Sequence, residues 1–220
     1  YINFKLDIDA DGIALITWDA PGRSMNVLDL KSIEEFAAIV ERVAGDAAIK
    51  GAVITAGKEA FCAGADLTML EVFSREFTDR SKAQGEEHAV KHLYEESRKL
   101  SVLYRRLETS GKPWVAAING TALGGGFELC LACHYRVASD NPKTRVGLPE
   151  IKVGLFPGAG GTQRTTSQPD RPVAGTGDCG QHGEGLAVGA GGHVPDHPLE
   201  AVLRQRGQAP REDPQGVLCR

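Results

Sequence analysis

The 220-residue chain changes character at one point, and that point limits how much of it can build a core. From Thr165 to Arg220 there are 56 residues with no Phe, Tyr, Trp, Met, Ile, Asn or Lys, but with ten Gly and six Pro. The first 164 residues use every missing type, Lys alone ten times. Stretches such as "GTGDCGQHGEG" and "GHVPDHP" follow neither a helical period nor strand alternation, and only "LEAVLRQR" (199–206) has helical spacing. So little apolar surface cannot offset the entropy of ordering the segment. The C-terminal part, 165–220, is therefore expected to be disordered or aberrant, and the folded domain to lie within 1–164. The absent types are encoded mainly by A/T-rich codons, which suggests a GC-rich gene read out of frame; the alternative is a genuine flexible tail. The formal G-x-G-x-x-G match "GTGDCG" (175–180) has no strand before it and no helix after it, and reads as chance.

Taken whole, the chain is ordinary for a soluble protein, with 41% hydrophobic and 25% charged residues. A formal charge of −4 gives no reason to expect nucleic acid or a membrane surface as partner. No apolar run approaches the roughly 20 residues of a spanning helix. Five cysteines at irregular spacing do not form a disulfide framework, so the expected location is cytoplasmic.

Strands and helices alternate along 1–164. "INFKLDI" and "GIALITWD" read as strands around the turn "DADG", followed by an amphipathic helix, "LDLKSIEEFAAIVERVAGD", ending near Gly45. "IKGAVITAG" is a buried strand. "LTMLEVFSREF" and the charged stretch from Lys82 to Leu107 are helices joined near "AQG", and "KPWVAAING" is a further strand. Alternation of this kind predicts an α/β domain. The i, i+4 pair His88 and His92 lacks further ligands and reads as a solvated helix face, so no metal site is predicted. Cys130 and Cys133 in "CLAC" lie within an apolar helix and read as small buried side chains.

Three adjacent glycines in "GTALGGGFELCLACHYRVA" (120–138) stand where a helix should begin. Glycine admits close backbone approach, and first-turn amides of a helix have no helical acceptor. "LGGGFE" therefore suits a developing oxyanion, although a tight packing turn would need the same residues. "FCAGADL" (61–67) repeats the pattern of strand, small residues and helix, and "GLPEIKVGLFPGAGGTQR" (147–164) adds Glu150 to Glu128. Two donor-bearing turns with two carboxylates make a reaction site. Taken alone, Glu128 could cap a helix and Glu150 could be a surface acid.

The stretches "AFCAGADL", "KPWVAAINGTALGGGFELCLACHYRVAS" and "GLPEIKVGLFPGAGGTQR" together resemble the crotonase, or enoyl-CoA hydratase/isomerase, superfamily over about residues 2–164. "PGRSMNVL" and the long helical insertion after "AGADL" look most like the hydratase half of bacterial multifunctional fatty-acid oxidation proteins. The resemblance implies a crotonase-like (ββα superhelix) core, C-terminally incomplete here. It implies hydration of trans-2-enoyl-CoA thioesters, with double-bond isomerisation as a side activity; a truncated, inactive fragment is the alternative. Carried over by position, the oxyanion hole is the backbone N–H of Ala65 and of Gly125, and the acid/base pair is Glu128 and Glu150. Ala63, Gly64, Asp66 and Gly124 fall in the substrate-binding turns, and Arg23 and Lys58 are the nearest cations for coenzyme A phosphates. Asp66 is expected to organise the "AGAD" turn. No cofactor is implied beyond the substrate's own coenzyme A, since NAD would belong to a dehydrogenase half that this chain lacks. Oligomerisation or membership of a fatty-acid oxidation complex is implied for a complete protein.

Resequencing the gene across codon 165 is expected to reveal a shifted frame that restores the missing residue types; an unshifted frame there would refute the frameshift.

Overall fold

Alternation in the first eighteen positions becomes a hairpin. In the computed structural model, which describes residues 1–167, 173–175, 211–212 and 218–219, β1 (Phe4–Ile8) pairs antiparallel with β2 (Ile13–Trp18), Phe4 lying opposite Trp18. The Asp9 carboxylate closes the turn by accepting the N–H groups of Asp11 and Ile13 at 3.0 and 2.8 Å. Helix α1 (Leu30–Gly45) starts at a reciprocal cap, in which Asp29 accepts the Ser32 N–H and the Ser32 hydroxyl accepts the Asp29 N–H. Its buried Glu35 accepts the N–H groups of Ile2 and Asn3 at 2.9 and 2.8 Å, fastening the N-terminal end of the chain to the helix.

The chain continues through β3 (Gly51–Ala56), α2 (Leu67–Gln84), α3 (Glu86–Glu108), β4 (Trp114–Ile118), β5 (Ala122–Leu123), α4 (Gly125–Ala132), β6 (Tyr135–Ala138), β7 (Val146–Gly147), α5 (Gly161–Ser167) and β8 (Val173–Gly175). The main sheet has the order β1-β2-β3-β4-β6-β8, parallel throughout except for β1. Every residue of β3 is buried, as a central parallel strand covered on both faces requires. The core joins Ile16, Trp18 and Ile54 of the sheet to Phe36, Ile39 and Val40 of α1, Tyr104 and Leu107 of α3, and all of α4. Phe4 stacks on Trp18 at 5.2 Å between ring centroids, and Phe36 meets Trp114 edge-on at 6.1 Å. Helix α2 buries none of its residues; it lies along α3 beyond the bend at Gly85, which has φ of 91°. No described helix is long and apolar enough to cross a membrane.

The α/β order, the hairpin, α1, β3, β4 and the α2–α3 junction agree with the sequence. Two points differ. The helix after the triple glycine stops at Ala132, with Cys133 already extended, and Tyr135–Ala138 forms β6 against β4. So short a strand has no periodicity of its own; its partner decides it. Second, the expected boundary at Arg164 falls inside α5, and Val173–Gly175 pairs with the edge of β6, where backbone alone suffices for a ladder. β9 (Arg211–Glu212) and β10 (Leu218–Cys219) pair with each other. The rest of the anomalous tail, including "LEAVLRQR", lies outside the described residues.

Gly120, on the way from β4 to β5, approaches the chain after β3 so closely that a Cβ would run into the Glu59 carbonyl oxygen. A backbone atom cannot rotate aside. Gly120→Ala is expected to lower the unfolding free energy by about 3 kcal/mol, the upper end for overpacking. Urea denaturation checks this, and a loss below about 1 kcal/mol would show that the approach is looser in solution.

Candidate active site

Four loops leave the C-terminal ends of the parallel strands β2, β3, β4 and β6 and bind one another side by side. Asn26 O accepts the Ala63 N–H, Gly64 O accepts the Leu28 N–H, and Leu28 O accepts the Asp66 N–H, all at 2.8–2.9 Å. On the other flank, Cys62 O accepts the Leu123 N–H at 2.9 Å, and Arg145 O and Gly147 O accept the N–H groups of Ala122 and Gly124 at 2.8 and 3.0 Å. The isolated bridges Leu28–Ala65 and Cys62–Ala122, with the β5–β7 pair, make this a small second ladder. Ligands of open α/β sheets bind at this end of the strands.

The ladder leaves two amides, on Ala65 and Gly125, without a backbone acceptor among the described residues. In the bridge to Ala65, Leu28 uses both its N–H and its C=O on residues 64 and 66, so the Ala65 N–H turns away from it. Ala65 is exposed, and its N–H has no partner among the described residues. Gly125 opens α4, where the Glu128 N–H bonds to Gly124 O at 2.9 Å, so the Gly125 N–H, one residue into the helix, has no helical acceptor.

The small residues are required by contact. Gly64 and Gly124 have φ of 103° and 53°, a region that strains other residues. A Cβ on Gly64 would stand 3.3 Å from Leu123 O, and one on Gly124 would stand 3.3 Å from Glu150 Oε1. A Cβ on Gly125 would reach Leu28 Cδ1 at 2.6 Å, and one on Gly126 would reach Cys62 Cβ at 2.5 Å. All three glycines are therefore needed, each for a different neighbour.

Glu128 is 2% exposed, and one of its oxygens, Oε1, accepts the N–H groups of Ala159 and Gly161 at 2.8 Å each. Its other oxygen, Oε2, lies 3.9 Å from where a Gly125 Cβ would stand. Burial pushes its proton affinity above the ordinary value near 4.5; the two amides and Arg164 oppose the shift, and the charge of Glu150 adds to it. Glu150 begins a 3₁₀ turn (Glu150–Val153) after Pro149, and its buried Oε2 has no hydrogen-bond partner. Its other oxygen reaches toward Gly124. The two carboxylates thus flank consecutive glycines, each with an oxygen uncommitted to the protein. Beyond Glu150 the turn presents Ile151, Val153 and Phe156 to solvent, at 75%, 64% and 86% exposure.

The other sequence-predicted residues fall around this centre. Ala63 and Gly64 are bound into the ladder. Asp66 caps α2 by accepting the Thr68 N–H and hydroxyl at 2.9 and 2.7 Å, and these bonds with that from Arg23 hold its carboxyl below the usual range. It organises the turn as expected. Arg23 pairs with Asp66 at 2.8 Å and Asp29 at 3.3 Å, and Lys58 pairs with Asp19 at 2.8 Å, so both cations already face carboxylates. Cys62, Cys130 and Cys133 are fully buried, with burial pushing the Cys62 and Cys133 thiols to about 12. His88 is exposed, and His92 lies 3.5 Å from Glu76. Among the described residues no cluster of His, Cys, Asp and Glu could hold a metal ion.

Sequence reasoning missed three supports. Buried Asn26 donates to Trp18 O and Phe61 O at 2.9 and 3.2 Å and accepts the Ala20 N–H at 3.0 Å, welding its loop to the strand ends. Arg164 donates to Ala159 O at 2.8 Å, steadying the loop that holds Glu128. The Tyr104 hydroxyl donates to Gly125 O at 2.8 Å. None carries a local signal, because nothing around a single polar residue in the sequence tells which backbone group it will meet once the loops have folded together.

The Enoyl-CoA hydratase/isomerase family matches residues 9–169, nearly the whole described domain. The chain belongs to the enoyl-CoA hydratase/isomerase family. Among curated relatives it is 44% identical, over 162 residues, to the fatty acid oxidation complex subunit alpha of Idiomarina loihiensis, and 45% identical to that of Shewanella frigidimarina. Those alignments take in 73% of this chain but 21% of each relative, so the chain spans about a fifth of their length. Among solved structures it resembles an enoyl-CoA hydratase from Bacillus anthracis, at 33% identity and a TM-score of 0.59, covering 75% of this chain and 57% of that one. An enoyl-CoA hydratase from Thermoplasma volcanium gives 26% identity and 0.62, covering 78% and 61%. The crotonase-like core expected from the motifs is thereby the observed one.

Because the folded state holds the Glu128 proton more tightly than the unfolded chain, stability is fully present below about pH 4.5 and falls as pH rises through the raised folded value. Glu128→Gln keeps an oxygen for the Ala159 and Gly161 amides and removes the charge. Urea unfolding across pH 4–8 is expected to show the variant gaining on the parent chain as pH rises; a constant difference would contradict the raised affinity.

Proposed function

We propose that this chain is an enoyl-CoA hydratase acting on trans-2-enoyl-CoA thioesters. The observation that carries the proposal is the pairing of two uncommitted carboxylate oxygens, on Glu128 and Glu150, with two amides, on Ala65 and Gly125, that lack a backbone acceptor among the described residues. The thioester carbonyl oxygen would accept both amides, and one water would lie between the carboxylates.

As the water oxygen bonds to the β-carbon, Glu128 takes its proton, and the electrons of the double bond move through the α-carbon onto the carbonyl oxygen. Glu150, carrying a proton, then delivers it to the α-carbon as the carbonyl re-forms. The product is the 3-hydroxyacyl-CoA, and no oxidant or reductant takes part, so coenzyme A enters only as part of the substrate. The amides oppose the charge where it accumulates; losing one such donor typically costs about 2.7–4 kcal/mol of transition-state stabilisation. Glu128 works ionised, so its raised proton affinity sets the acid limb of the rate above the ordinary carboxylate range.

The curated relatives are alpha subunits of fatty acid oxidation complexes, which supports a place in fatty-acid oxidation and in a larger assembly. Double-bond isomerisation would need the same amides and one carboxylate. Loss of crotonyl-CoA absorbance on adding the protein tests the proposal. Glu128→Gln and Glu150→Gln are each expected to lower kcat by about 10²–10⁴-fold. Turnover unchanged by either substitution would sink the mechanism, and no turnover by the parent chain would sink the function.

A further inference from the structure

Tyr104 lies on α3, wholly buried, with its ring among the core side chains and its hydroxyl on the carbonyl oxygen of Gly125 at 2.8 Å. We propose that Tyr104 is a positioning residue for the oxyanion-binding amides, its hydroxyl pinning the glycine turn so that the Gly125 N–H keeps its direction as charge develops on the substrate. The inference rests on the oxyanion role given to Gly125 above.

A turn of three glycines has no side chain with which to lock itself, and glycine loses more freedom on ordering than any other residue. It is also the first turn of a short helix, where amides lack helical acceptors and backbone frays. Something outside the helix must hold it. Apolar contact supplies part of this, through Leu28 and Leu100 beside Gly125 and Cys62 beside Gly126. Contact of that kind limits translation but leaves peptide planes free to rock. The plane carrying the Gly125 N–H is held at Gly124 O by the Glu128 N–H, and the plane joined to it at Gly125 Cα is held at Gly125 O by Tyr104. Among the described residues, the side-chain hydrogen bonds to carbonyls of the glycine turn are two. The Cys130 thiol reaches Gly126 O at 3.3 Å from within α4 itself, and the Tyr104 hydroxyl reaches Gly125 O from another helix. Of these two side chains only Tyr104 comes from a separate element; on the other flank the turn is tied by the backbone bond from the Gly124 N–H to Gly147 O of β7.

The chemistry of the surroundings keeps that bond in one sense. Burial, with the neighbouring Cys62 and Glu128, holds the phenol proton well above the usual range, so the hydroxyl remains a donor at every working pH. A phenylalanine would fill the same space in the core, so packing does not account for the hydroxyl.

Tyr104→Phe removes one oxygen and tests this with two readouts. The kcat for crotonyl-CoA hydration is expected to fall about tenfold, with KM within about twofold, because a loosened donor weakens the transition state more than the ground state. Amide exchange at residues 124–127 is expected to accelerate about tenfold while the β-strands exchange as before. Unchanged exchange at 124–127 would overturn the proposal whatever the rate does, and so would faster exchange with an unaltered kcat. A parent chain inactive on crotonyl-CoA would overturn the hydratase assignment and the catalytic part of this one, while exchange would still decide whether Tyr104 anchors the turn. Should Tyr104→Phe fail to fold, 3-fluorotyrosine at position 104, a stronger donor of nearly the same shape, is expected to slow exchange there; no slowing would overturn the proposal.

Discussion

Leu28 commits both of its backbone groups to the 64–66 turn, and Ala122, Leu123 and Gly124 commit their N–H groups to the loops on either side. Those bonds between loops hold the reacting groups together. The parallel strands beneath them bring the four loops to one end of the sheet, but a sheet fixes loop ends, not the direction of an amide within a loop. The second ladder does that. It takes up the backbone groups that would otherwise compete for the Ala65 and Gly125 amides, and those two N–H groups are left without a backbone acceptor among the described residues. Removal of a single Cβ at each of Gly124, Gly125 and Gly126 allows the segments to close to contact with Glu150, Leu28 and Cys62.

A buried carboxylate is costly unless it is hydrogen-bonded. Glu128 is held by two amides on one oxygen, and the loop that supplies them is itself tied through Ala159 O to Arg164. The arrangement satisfies half of the carboxylate and leaves the other half for a ligand. Glu150 is supported differently: it hangs from a 3₁₀ turn whose following apolar residues face solvent, so its placement rests on fewer contacts than that of Glu128. The two acids therefore differ in environment, one held by two amides inside the domain and the other carried on an exposed turn.

Much of this was legible in the chain. The α/β order followed from periodicity; Glu128 and Glu150 stood out beside glycine- and proline-bearing turns, and the resemblance to the enoyl-CoA hydratase/isomerase family implied Ala65 and Gly125. The unread parts share a cause. β6 is four residues without period, given its state by β4. Asn26, Tyr104 and Arg164 look like any polar residue until the groups they touch are known, and those lie 35, 21 and 5 positions away at the reported contacts. Arg23 and Lys58 looked like free cations and are instead paired with carboxylates brought to them by folding.

By itself the sequence determined which segments become strands and helices, where the glycines allow close approach, and that the acids and turns of one family are present. Those are local properties, set by side-chain period, volume and backbone freedom within a few residues. Only the tertiary structure decided which amides are left without partners, which oxygen of each glutamate is uncommitted, and which core hydroxyl meets the glycine turn. Hydrogen bonds between distant loops allot those groups, and each bond exists only once the sheet has brought its two ends together.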